Sequence, residues 1–371
     1  MDIGSRSKWW VFFVLNLILE PAFGLHENNR FFESSDKPIR REEIKAVLEA
    51  KFLSILGLPF KPDKPKNKIK IPNHVWKLYY KWSDNTYHDL DKNNADTIQF
   101  HHHKEKPSIH HVNEQKYQEN VEHLEFEINF LNECKQLHRA ELHVFSEPHN
   151  DLRERKPYQV TIYSNDSTLP YIKKKISGSR VGFNTLEVTE LVQKSMNNTP
   201  VLNIGITQND RLHLRRRRNT DDNEWNTKRP VLVIYTLCGE KITKVEKSHH
   251  RSKREAIEKN PNSDNKQDLC HLHPFEFDLV KVGWNEFVLY PSLYRLNFCA
   301  GKCPNPLSHH FNGTNHAVIQ NNVLKIAKDK VPPLCCIPSE LEAQTIIYID
   351  HENKMIIKRP DKMIATACGC R

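Results

Sequence analysis

Residues 299–303 read C-A-G-K-C and residues 368–371 read C-G-C-R; with Cys270 and the adjacent pair Cys335-Cys336 they place seven of the chain's nine cysteines between positions 270 and 370. Seven is odd. If six pair within the chain, one stays reactive or bonds another chain, and a two-fold dimer outside the cell follows naturally. Six cysteines allow fifteen pairings, so number alone does not settle connectivity. Spacing narrows the choice: two bridges between the segments 299–303 and 368–370 would close a ring of eight residues. Gly301 and Gly369 would keep the middle of that ring clear for a third bridge, which would join Cys270 to one of Cys335 and Cys336. Neighbouring side chains of an extended segment point to opposite faces, so one sulfur of the pair faces inward and the outward one is left over.

The words between the cysteines carry more than their spacing. Cys270-H-L-H-P, D-L-V-K-V-G-W-N-E-F from Asp278, C-A-G-K-C-P-N-P-L from Cys299, N-G-T-N-H-A from Asn312 and C-C-I-P-S-E-L from Cys335 follow one another in a familiar order. In them the last 102 residues resemble the cystine-knot growth factors of the TGF-β superfamily, and the G-W-N and T-N-H-A wording with seven cysteines resembles the bone morphogenetic protein branch. The resemblance implies bridges Cys270–Cys336, Cys299–Cys368 and Cys303–Cys370, with Cys335 joining two subunits. It also implies two receptor faces. Trp284, Phe287, Leu307 and Met363 would meet a type I receptor, and Tyr290, Pro291, Arg295, Thr345, Ile347 and Ile357 a type II receptor. Three positions depart from the pattern, all on the type I face: Phe287 where relatives commonly show a second Trp, Asn305 where an aromatic is common, and Pro360 where Tyr is common.

The start of the chain reads as a secretory signal. Arg6 and Lys8 precede an apolar run from Trp9 to Leu19, and Ala22-Phe-Gly24 is a small-x-small cleavage site, so residues 1–24 are expected to be removed. An eleven-residue run is too short to span a bilayer, and no later stretch reaches the roughly 18 apolar residues a spanning helix needs. The expectation is a secreted, extracellular product in an oxidising compartment, without membrane insertion. Asn165, Asn197 and Asn312 each begin an N-x-S/T glycan acceptor.

Arg251-Ser252-Lys253-Arg254 is followed by a polar stretch without apolar periodicity, which reads as an exposed linker. The tetrad resembles the family's convertase site and would release residues 255–371. Arg215 to Arg218 repeat the R-x-x-R pattern between two strand-like runs, where a second cleavage site and a plain sheet-connecting loop both fit. The net charge of +9 does not indicate nucleic acid: residues 255–371 hold 13 Lys and Arg against 13 Asp and Glu, so the surplus lies upstream. Acidic matrix glycans are partners that the Arg-rich upstream part could take.

Residues 25–254 then form a propeptide long enough for its own core. E-E-I-K-A-V-L-E-A-K-F-L-S-I-L-G-L, residues 42–58, predicts a helix with Ile44, Val47, Leu48, Phe52 and Ile55 on one face and a stop at Gly57-Leu-Pro59. With I-P-N-H-V-W-K-L-Y from Ile71 it is similar to bone morphogenetic protein propeptides, which implies a helix laid across the growth factor as a mask. Strands are expected at 137–145, 160–164, 186–188, 201–206 and 231–236, hence a β-rich lobe over about residues 120–245. Cys134 and Cys238 are candidates for a bridge within that lobe or between chains.

No catalytic chemistry is legible. Residues 255–371 lack H-E-x-x-H, G-x-S-x-G and a cysteine suited to stay a thiolate, which sets aside a protease zymogen. His101-His-His103 and His110-His111 lie near Lys104-Glu-Lys106-Pro107 and read as a solvated loop, so no metal or cofactor is expected. The expected architecture is an α+β propeptide, a linker at 255–269, and at 270–371 a small elongated antiparallel β protein with one helix, at Asn315 to Lys328 behind a Thr314 cap. Three bridges over loops of about 65–70 residues, each worth about 4 kcal/mol in the chain-entropy model, would replace much of a core. The expected partners are a second copy or a related ligand, the two receptor ectodomains, the chain's own propeptide and extracellular antagonists. The competing reading is a secreted cystine-knot antagonist that sequesters such ligands.

Overall fold

The computed structural model describes residues 38–65, 69–83, 95–104, 121–128, 136–164, 170–198, 201–207, 209–216, 220–237, 269–327 and 330–371. The signal segment, Cys134, Asn165, Arg218, Cys238, Arg251 to Arg254 and His110-His111 lie outside these residues. The helices are α1 (Pro38–Leu56), α2 (Asn73–Ser83), α3 (Thr189–Asn198), α4 (Asp222–Lys228) and α5 (Asn315–Ile326). The strands of the upstream half are β1 (Thr97–His102), β2 (Val121–Glu127), β3 (Gln136–Ser146), β4 (Tyr158–Ser164), β5 (Pro170–Ile176), β6 (Gly182–Glu187), β7 (Val201–Thr207) and β8 (Val231–Leu237). Those after the linker are β9 (His271–His273), β10 (Glu276–Asp278), β11 (Val288–Tyr290), β12 (Leu293–Arg295), β13 (Phe298–Ala300), β14 (Cys336–Glu342), β15 (Ile346–Ile349), β16 (Met355–Lys358) and β17 (Ile364–Cys370).

Two sheets build the upstream lobe. The order β2-β7-β4-β5 forms one; β1, β8, β3 and β6 form four strands of a seven-stranded sheet whose order is β11-β15-β16-β1-β8-β3-β6. Strand β8, V-L-V-I-Y-T-L, explains the layering. Leu232 and Ile234 point into the sandwich with Leu142, Ile162 and Ile204, while Val231, Val233 and Tyr235 point to the opposite face beneath Val75, Tyr79 and Trp82 of α2. A strand buried on both faces needs such an unbroken apolar run.

Strand β1 joins the two halves of the chain. Ile98 pairs antiparallel with Tyr235 of β8 on one side and with Ile357 of β16 on the other. This corrects the loop expected around the histidines. His101 is 1 % exposed inside β1, with its ring nitrogens bonded to Glu127 O and Gln99 Oε1. Burial holds its pKa down at about 4, helped by the charge of Lys354 and opposed by the bond to Glu127. Removal of His74 from water, with His143 nearby, lowers that pKa to about 3. Polar residues in a short alternating segment look like a loop until two neighbouring strands cover them.

Helix α1 is also corrected. It runs four residues further upstream than expected and buries Phe52, Leu53 and Leu56, whereas Ile44, Val47 and Leu48 are exposed at 49 %, 57 % and 46 %. Within this chain its apolar contacts come from Phe52 onward. Gly57 at φ 79 ends it, with Leu58 N donating to Leu53 O at 2.9 Å.

The knot region has the expected strands. Bridges Cys270–Cys336, Cys299–Cys368 and Cys303–Cys370 span 66, 69 and 67 residues, and Cys335 is exposed without a bridge. The sulfurs of Cys270, Cys303 and Cys370 lie within 4.8 Å of one another, so the threading bridge rests against one side of the ring. At Gly301, φ +112, a Cβ would fall 2.3 Å from Leu269 O and 2.8 Å from Cys270 N; the strand entering the ring leaves no room for one. Thr314 Oγ1 accepts from Ala317 N and starts α5, which ends at Ile326, not Lys328. The helix buries Ala317 and Asn321, while Val318, Ile319 and Val323 of its apolar surface are exposed.

Candidate functional site

The tip of the C-terminal half is a hairpin of β15 and β16 extended by β11. Asp350 holds its turn by accepting from Glu352 N and Lys354 N at 2.9 and 2.8 Å, and burial raises that carboxyl's pKa despite both bonds. Side chains alternate along these strands. Ile346, Tyr348 and Ile356 face α1, whereas Ile347 and Ile357 face α2. Both Ile346 and Ile347 are buried, at 2 % and 0 % exposure, because each face has its own helix.

On the α1 side Trp284 is 2 % exposed. Phe52 stacks on it with ring centroids 4.5 Å apart and planes 11° from parallel, and its Nε1–H donates to Glu49 Oε2 at 2.8 Å. Phe287 lies fully buried in the same cluster, with Leu53, Leu56 and Leu58. Tyr348 Oη donates to Leu56 O at 2.6 Å, satisfying a carbonyl that the helix end leaves open. The chain then passes over the tip: Phe60 stacks on His351 at 3.9 Å, and Lys61 bonds Gly283 O at 3.3 Å and Glu286 at 3.0 Å. Lys61 holds the Glu286 carboxyl below its ordinary range.

On the α2 side Tyr290 meets Trp76 and Tyr79 edge to face, at 4.9 and 5.1 Å. Thr345, Ile347 and Ile357 are buried at 4 %, 0 % and 0 %, Pro291 is half-buried, and Arg295 is exposed. The structure therefore brings Trp284, Phe287 and Met363 together under α1, and Tyr290, Ile347 and Ile357 under α2. Leu307 stands apart from both. It is half-buried against the knot cluster beside Gly313. Asn305, one of the departures from the pattern, donates Nδ2 to Asn321 O at 2.6 Å. Pro360 O accepts from Gln344 N at 3.2 Å. Asn312 is exposed with φ 46, Arg215 pairs with Glu122, and Asn197 falls at the end of α3.

Several contributors escaped the sequence reading: Glu49, Lys61, Trp76 and Tyr79. Val75, Tyr79 and Trp82 recur at helical spacing in I-P-N-H-V-W-K-L-Y-Y-K-W, so α2 carried a visible periodic signal. Glu49 and Lys61 are ordinary surface types, and nothing in their neighbours distinguishes them.

Comparison with known proteins adds an independent line. The family model described as transforming growth factor beta like domain matches residues 269–370, and that described as TGF-beta propeptide matches residues 32–235. Bone morphogenetic protein 2 of Tetraodon nigroviridis is 35 % identical over 152 residues, covering 41 % of this chain and 35 % of that protein. Protein decapentaplegic of Drosophila melanogaster is 26 % identical over 379 residues, covering 87 % and 62 %. Its counterpart in Drosophila pseudoobscura pseudoobscura is 26 % identical over 388 residues, covering 87 % and 60 %. The chain thus spans less than two thirds of the length of these relatives.

Proposed function

This chain belongs to the transforming growth factor β family, as a precursor of the bone morphogenetic protein branch, and we propose that it is secreted and releases a dimeric ligand from a propeptide that masks it. In this reading residues 255–371 dimerise through Cys335 and bring type I and type II transmembrane serine/threonine kinase receptors together to activate SMAD signalling. A two-fold dimer presents each receptor surface twice, so engagement of one receptor raises the effective concentration of the next. The observation that carries the reading is the covering of both faces of one hairpin by two propeptide helices: Ile346 and Tyr348 under α1, Ile347 and Ile357 under α2. Large apolar side chains on a thin hairpin are suited to an exchangeable partner.

Changing Arg251 and Arg254 to Ala supplies the test. The secreted variant should retain the propeptide and leave a SMAD reporter silent, whereas the purified 255–371 dimer should activate it. Release of a fragment beginning at Glu255 from the variant refutes the processing site. Inhibition of the reporter by the dimer favours the antagonist.

A further inference from the structure

All of the chain's +9 lies before residue 255, since residues 255–371 carry 13 positive and 13 negative side chains. Part of it surfaces along one edge of the propeptide lobe. Strand β5, P-Y-I-K-K-K-I, is the last strand of the four-stranded sheet, and Lys173, Lys174 and Lys175 are all exposed. Ile172 and Ile176 pack against the sandwich core, so Lys173 and Lys175 leave on the outer face, about 7 Å apart. Lys174 turns the other way and donates to Thr185 O of β6.

Beyond Ile176 the chain turns through Ser177-Gly178-Ser179-Arg180. A Cβ on Gly178 would lie 2.2 Å from Lys156 O and 2.7 Å from the carbonyl carbon of Arg155, so this turn presses directly on the segment leading into β4. Arg211 donates Nη1 to Lys156 O at 3.0 Å, and its guanidinium carbon lies 5.1 Å over the Tyr158 ring. Arg155, Lys156, Arg180 and Arg211 thereby gather at the end of β5 that follows Lys175. Glu154 and Asp210 are the chain neighbours of Arg155 and Arg211, so the unopposed cations are Lys156, Lys173, Lys175 and Arg180. Asp151 accepts from Arg153 N; Glu187 reaches Arg139, and Glu190 lies by Tyr171, at the other end of β5; Glu125 and Glu127 sit on β2, three strands away. Among the described residues Lys156, Lys173, Lys175 and Arg180 have no carboxylate partner.

We propose that this edge of the propeptide binds a sulfated linear polysaccharide. The cations are strung along an edge and do not converge on a pocket, so a single phosphate or carboxylate could engage only one or two of them. A polyanion with regularly repeated sulfates can meet each in turn and release its condensed counterions as it does so. A bilayer is the poorer fit, because polybasic attachment to lipid needs a broad apolar face, and among the described residues from 151 to 181 only Leu152 and Val181 are large exposed apolar side chains.

Heparin is the probe. The uncleaved full-length precursor should be retained on immobilised heparin at 0.15 M salt, taken as roughly physiological. The combined variant Lys156→Gln, Lys173→Gln, Lys175→Gln, Arg180→Gln should bind about tenfold or more weakly, with a slope of log Kd against log salt reduced by roughly 3, as the loss of about four neutralised sites implies. Its thermal midpoint and its yield of released 255–371 should match the unmodified chain. A variant with Lys302, Lys325, Lys330 and Lys362 changed to Gln, all outside the propeptide, should bind as the unmodified chain does. Unchanged affinity of the propeptide variant, equal retention on fully desulfated heparin, or attachment to phosphatidylserine vesicles in place of heparin each overturns the proposal.

Discussion

Among the described residues, twenty buried apolar side chains from the two sheets, α3 and the segments beside them close a core within the propeptide lobe, whereas the knot cluster consists of six buried residues, three of them cysteines. Between them lie two clusters that neither half completes alone: Phe52, Leu53 and Leu56 with Trp284, Phe287 and Tyr348, and Val75, Tyr79 and Trp82 with Ile347 and Ile357. The contrast teaches where each half keeps its stability. The lobe relies on area removed from water. The growth-factor half relies on covalent closure, which leaves it able to keep its shape when the apolar faces of its hairpin exchange one covering for another.

Breaking one bridge is the most severe test of that contrast. Replacing Cys299 and Cys368 together by Ser removes a closure over 69 residues, a loss of about 4 kcal/mol. Amide exchange in the precursor should then show β14 and β17 losing protection while β3 and β8 keep theirs. Loss of protection in the lobe as well would mean that the halves fold as one unit.

A smaller effect separates the two shared clusters. Phe52→Ala removes the ring stacked on Trp284 and should weaken capture of the 255–371 dimer by the isolated propeptide about a hundredfold, near 3 kcal/mol. Under the proposed receptor assignment, binding measurements on both receptor ectodomains should find the face under α1 opened and the face under α2 still closed; Trp76→Ala should reverse that pattern. Simultaneous opening of both faces by either variant would merge the two clusters into one.

Acid should act on the propeptide side first. The folded-state pKa of His101 is about 4 and that of His74 about 3, both below the unfolded value of 6.5. The unfolded chain binds these protons more readily, so their contribution is complete above about pH 6.5 and is lost as pH falls toward 4 and 3. For His101 the loss is at most about 3 kcal/mol. The thermal midpoint of the precursor should drop over this range faster than that of the 255–371 dimer, and His101→Gln should flatten the drop.

The gentlest probe is Glu49→Ala. It leaves the Trp284 indole N–H without its acceptor and should cost about 1 kcal/mol of propeptide affinity, read as a five- to tenfold weaker competition for the dimer.

For the knot, cysteine spacing and two glycines marked the ring and its threading bridge, because the constraint there is local and chemical, with Gly301 pressed against the backbone of Leu269 and Cys270; the choice of Cys336 over Cys335, and the pairing within the ring, came from the resemblance and is what the structure holds. Of the lobe strands, sequence alone was enough for β3, β4, β7 and β8, whose two-residue alternation and continuous apolar runs are written in consecutive residues; β1, β2 and β5, which carry more polar residues, were not expected, and β6 was met only at its end. Only the tertiary structure decided that His101 is interior to β1, that Phe52 and not Ile44 is the buried part of α1, and that Ile346 and Ile347 are both covered. Each of these depends on partners roughly 100 to 300 positions away, such as Thr236 and Lys358 beside Thr97, or Leu56 beside Tyr348. Periodicity reports that a residue has an apolar side to hide; which distant element hides it is settled by how the halves dock.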